Sequence, residues 1–142
     1  MSYELLISCV VHHNVIWHIN TGLFSSGFGF NAPNNDELVF NNTLYGNLND
    51  ISTVDACGEM ENPWAGSNFF NNIFEKSFPM NSGAQVHNNY EGSEPGFENA
   101  KELDFGLKEN SPCIDAGVQF SPYTDGFTGK APDINVVNLA ST

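Results

Sequence analysis

Four short segments of this chain share one frame: Val11-His12-His13-Asn14-Val15-Ile16, Val39-Phe40-Asn41-Asn42-Thr43-Leu44, Phe69-Phe70-Asn71-Asn72-Ile73-Phe74 and Val86-His87-Asn88-Asn89-Tyr90. Each has an apolar residue, a variable one, a polar one, an Asn and then a β-former. The marking asparagines Asn14, Asn42, Asn72 and Asn89 stand 28, 30 and 17 residues apart. Recurrence at such a period points to stacked coils, each turn of chain lying on the one before. Strands of successive coils then lie about 4.8 Å apart, so like side chains fall over one another. An Asn at each bend donates to the carbonyl below and accepts from the amide above, and it tolerates the left-handed backbone that a sharp bend needs. The four asparagines are therefore read as a structural ladder.

The expected fold is all-β, with about four parallel coils over 1–90 and an irregular tail over 91–142 packing on them. Composition agrees, since 20 Asn, 13 Gly and 12 Phe favour strands and tight turns over helices. Polar insertions at 31–36, 47–67 and 81–83 read as loops leaving the stack at its corners. The longest, near 48–66, carries Asp50, Asp55, Glu59, Glu61 and Trp64 and is the expected place for a surface site. Four Lys, no Arg and a net charge of −13 exclude nucleic acid as a partner and disfavour an anionic membrane surface. No stretch has the length of a transmembrane helix, and no signal peptide is legible: Leu6-Ile7-Ser8-Cys9 lacks the basic and apolar regions an export signal requires. Cys9, Cys57 and Cys113 are too scattered for a zinc or thioredoxin-type motif.

The tail carries the most specific residues. Gly92-Ser93-Glu94-Pro95-Gly96-Phe97, Leu103-Asp104-Phe105-Gly106-Leu107, Asn110-Ser111-Pro112-Cys113-Ile114-Asp115-Ala116-Gly117, Thr124-Asp125-Gly126 and Ala131-Pro132-Asp133-Ile134 follow one another in that order. This series resembles the C-terminal end of secreted right-handed parallel β-helix proteins of the pectate-lyase-like superfamily. The likeness spans roughly residues 11–134; it departs at Asn135-Val136-Val137, where the family continues with Gly-Ala. The resemblance implies a right-handed β-helix closed by its tail and an extracellular or cell-surface setting. It also implies association with polysaccharide, as lyases, hydrolases, epimerases and non-catalytic surface proteins share the fold.

Arg-based uronate lyase chemistry is excluded within this chain, which has no Arg. Glycoside hydrolysis needs two facing carboxyl groups; the acidic loop offers Asp50, Asp55, Glu59 and Glu61, but no paired-Asp hydrolase signature accompanies them. The expected function is thus binding or structural. A partial polysaccharide lyase or glycoside hydrolase with its catalytic coils elsewhere is one alternative, and a self-stacking or adhesin-like solenoid is another. Candidate substrate contacts are His12, Trp17, His18 and Trp64, with the indoles as stacking platforms and a His as hydrogen-bond partner. On a continuous strand His12 and His13 face opposite ways, so they meet only across a bend. Calcium is the expected cofactor, held by Asp55, Glu59 and Glu61, or in the tail by Asp115, Asp125 and Asp133.

The start of the chain has no capping segment before its first coil. The interior expected there, Leu5, Ile7, Val11, Val15 and Ile16, then needs cover from missing coils or from a second copy stacked end to end.

Overall fold

Each repeated segment gives two short strands separated by a two-residue bend. The computed structural model describes residues 9–19, 21–23, 37–51, 54–55, 58–59, 64–79 and 82–135. Its strands are β1 (Val10–His12), β2 (Val15–Trp17), β3 (Thr21–Leu23), β4 (Leu38–Phe40), β5 (Thr43–Tyr45), β6 (Asn49–Ile51), β7 (Val54–Asp55), β8 (Gly58–Glu59), β9 (Asn68–Phe70), β10 (Ile73–Phe74), β11 (Gln85–His87), β12 (Tyr90–Glu91), β13 (Phe97–Asn99) and β14 (Asp104–Leu107). The helical content among the described residues is one 3-10 turn, Ala100–Glu102. No helix there is long and apolar enough to cross a membrane.

The chain is all-β with parallel sheets. One sheet runs β1-β4-β9-β11 and a second β2-β5-β10-β12, every pairing parallel; β3 and β6 form a third parallel pair. Short antiparallel pairs, β7-β8 and β13-β14, lie outside these sheets. Register makes rows of equivalent residues: Val11, Val39, Phe69 and Val86 on the first sheet, and Ile16, Leu44, Phe74 and Glu91 on the second.

These two rows build the core between the sheets. Val39, Leu44, Phe69 and Phe74 are at most 1% exposed, with Ile51, Trp64 and Phe78 beside them. Val11 and Ile16 pack against this cluster, but Val15 points outward and is 38% exposed. The bend at His13-Asn14 restarts the alternation, so Ile16 and not Val15 faces inward. Leu5 and Ile7 lie outside the described residues.

Two expectations from the sequence need correction. The segment near 48–66 is not simply a loop, since Asn49–Ile51 pairs with Thr21–Leu23 and Trp64 sits in the core. Nor, among the described residues, does the tail after Glu91 cover the C-terminal end of the stack, where Val86 remains 39% exposed. It runs instead along the outer faces of both sheets: on the second, Phe97, Cys113 and Ile134 enclose Ile73, with Tyr45, Tyr90, Phe105 and Leu107 at the margin, and on the first Phe120 packs on Phe40 and Phe70. An apolar face of a sheet exposes more surface than its edge, so the tail buries more by lying along it.

Candidate functional site

All four bends have one geometry. Their first residues, His13, Asn41, Asn71 and Asn88, take left-handed φ values of 52° to 56°. Their second residues, Asn14, Asn42, Asn72 and Asn89, form one hydrogen-bonded row. Asn72 shows the full pattern: its Oδ1 accepts from the Asn42 backbone N–H and from Asn42 Nδ2, both at 3.0 Å. Its Nδ2 faces the Val39 carbonyl at 2.8 Å, the Phe70 carbonyl at 3.0 Å and Asn89 Oδ1 at 2.9 Å. Asn42 stands likewise toward Asn14, Val11 and Phe40. Asn41, Asn42, Asn71 and Asn72 are completely buried, so these bonds satisfy backbone groups that water cannot reach.

Behind the bends runs a column of rings. His12, Phe40, Phe70 and His87 are register partners stacked nearly parallel, with centroids 5.1, 5.1 and 5.4 Å apart. Phe120 and Tyr123 from the tail meet the column edge-on. Because His13 is in the bend, its Nδ1 comes 2.7 Å from His12 Nδ1, a distance that requires one proton between them. Burial, and then the neighbouring His12, holds the His13 pKa below the usual imidazole value.

A second surface lies at the far end of the second sheet. Trp17 on β2 and Tyr45 on β5 are register partners, and Glu75 continues the row one strand further, its N–H bonded to the Leu44 carbonyl. Trp17 is 43% exposed, with the exposed His18 ring 5.9 Å away. Tyr45 is fixed from the side by the edge of Phe97, at 5.2 Å, and donates its hydroxyl to the Ser93 carbonyl at 3.3 Å. Glu75 Oε2 accepts from the Gly46 N–H at 2.7 Å. Burial chiefly, then the carboxylates of Glu75 and Glu94, raises the Tyr45 pKa.

The predicted contacts are therefore dispersed. Trp17 and His18 stand together, His12 belongs to the ring column of the other sheet, and Trp64 packs its ring edge-on to Phe69 inside the core. In β7 and β8 Asp55 pairs with Gly58 and Glu59 with Val54 through the backbone; the side chains of Asp55 and Glu59, and Glu61, lie outside the described residues. Among the described residues no group of three His, Cys, Asp or Glu is placed to hold a metal. Asp115 Oδ1 accepts from the N–H groups of Lys130 and Ala131, and Asp133 Oδ1 from that of Asp115. Asp125 bonds Gln119 and Ser121, which hold its carboxyl below the usual range. Asp50 is 2% exposed and accepts from Asn47 Nδ2 and the Lys76 N–H; burial raises its pKa despite these bonds.

The first asparagine of each pair has a task that sequence reasoning missed. Asn71 exchanges two 2.8 Å bonds with the backbone of Val118, Asn41 donates to the Asn135 carbonyl, and Asn88 to that of Ala116. These side chains clasp the tail to the stack. Gly117 lies under the clasp, where a Cβ would stand 2.8 Å from the Pro132 carbonyl and 3.0 Å from Asn71 Oδ1. The signal was present in the doubling of Asn at three of the four marks. Compared with known protein families, curated proteins and solved structures, the chain gives no match.

Proposed function

We propose that this chain is the closing part of a right-handed parallel β-helix of the pectate-lyase-like kind, exported, and that it binds carbohydrate through the shelf formed by Trp17, His18 and Tyr45. Parallel pairings between strands about thirty residues apart support the β-helix, and connections between parallel strands of one sheet are right-handed in about 98% of cases. The order of motifs in the tail supports the family. One observation carries the function: an indole 43% exposed on a rigid strand, beside the His18 ring and in register with a tyrosine that the tail holds in place. Sugars offer an apolar face to such a ring and hydroxyls to neighbouring polar groups.

Calorimetric titration of the whole chain with oligosaccharides tests this. Trp17→Ala is expected to weaken binding at least tenfold. His12→Ala, on the other sheet, leaves affinity unchanged. Equal affinity for wild type and Trp17→Ala would remove the shelf from the account.

A further inference from the structure

Resting on that reading of the shelf, we infer that its ligand is a neutral or amino sugar polymer, and that polyuronates are excluded by the carboxylates built into the same row. Glu75 directly follows β10 and continues the row of Trp17 and Tyr45, its N–H bonded to the Leu44 carbonyl, so its backbone stands two strand spacings, about 10 Å, from that of Trp17. The 2.7 Å bond from Gly46 holds that carboxylate on the shelf. On the other side the tail brings Ser93 to the Tyr45 hydroxyl, and the exposed Glu94 follows it. Burial chiefly, and after it the charges of Glu75 and Glu94, raise the Tyr45 pKa.

Among the described residues Lys76 is the cation paired here, its Nζ 3.7 Å from Glu75 Oε2 and its side chain 48% exposed. The Glu75 side chain of this pair is 19% exposed, and one ammonium does not cancel two carboxylates, the second being that of Glu94. A uronate would bring one negative charge per ring to this surface, on a chain of net charge −13 that has no Arg to grip a carboxylate bidentately. An ammonium on the sugar finds the reverse: Glu75 and Glu94 as counter-ions and the exposed face of Trp17 for cation–π contact. Selectivity thus comes from charge and affinity from the indole.

The test titrates the whole chain with chitosan, cellulose and galacturonate hexamers at low and high salt. Chitosan is expected to bind at least tenfold tighter than galacturonate, the gap shrinking as salt screens the carboxylates. Glu75→Gln keeps an acceptor for Gly46, and should bring chitosan affinity down to that of the cellulose hexamer. Trp17→Ala should weaken both. Tighter binding of galacturonate, or a chitosan preference that survives both Glu75→Gln and Trp17→Ala and so reflects only net charge, overturns the inference while leaving a sugar-binding chain. If none of the three hexamers binds, the shelf itself is refuted and the inference falls with it.

Discussion

At Cys113 a single thiol shows what enclosure by the tail does. It is fully buried, in the cluster of Ile73, Phe97 and Ile134, and its pKa is pushed up to about 11. Burial is the main cause and the nearby Asp133 adds to it, while a bond involving Ser111 opposes it. The folded state thus holds the thiol proton more tightly than the unfolded chain, whose cysteine titrates near about 8.5. The associated stability is complete below that value and is lost as pH rises from about 8.5 toward about 11, on the order of 3 kcal/mol in all. Urea unfolding at pH 7.5 and pH 10.5 should therefore show a larger drop for wild type than for Cys113→Ala, and an equal drop in both would contradict this. At pH 8 iodoacetamide should alkylate the exposed Cys9 while Cys113 stays protected until the chain unfolds.

At the scale of strands and bends, the cost of losing an asparagine depends on its neighbours. Asn72 has a bend on either side and is completely buried, whereas Asn14 is exposed at the first bend. Asn72→Leu strands the Asn42 N–H and takes one bond each from the Val39 and Phe70 carbonyls, for an expected loss of about 3–5 kcal/mol. Asn14→Leu should cost less than about 1 kcal/mol, because water replaces the bonds it gives up. Equal shifts of the urea midpoint would mean that the row does not carry stability. This part of the fold was legible because one residue type recurs at each bend with β-formers around it. The pairing of Thr21–Leu23 with Asn49–Ile51 was not, since the two segments share no pattern and their register comes from the strands before them. Trp64 was misleading, as it sits in a polar, Gly-rich stretch yet fills the core beside Phe69. The shelf was half legible: Trp17 and His18 are adjacent in sequence, but Tyr45 and Glu75 join them only through strand stacking.

For the whole molecule, the two ends of the stack differ. At the first strands Val10, Val15, Trp17 and Ile19 are between 38% and 45% exposed, and the described residues 9–19 hold no Asp, Glu, Lys or Arg. At the last strands Glu91 occupies the row of Ile16, Leu44 and Phe74, all of which point inward. A carboxylate at an inward position makes docking of another strand costly, a common guard against edge-to-edge association. Glu91→Leu should therefore raise the mass seen by light scattering as concentration increases, above that of wild type; identical curves would show that Glu91 guards nothing. The asparagine row has a different consequence for the length of such a chain. Asn42 bonds Asn14 before it and Asn72 after it, 28 and 30 residues away, and no other marking asparagine. A tandem duplication of one such unit in the gene would present each new bend with the partners it had in its parent, so growth by copying would require no redesign of the interior.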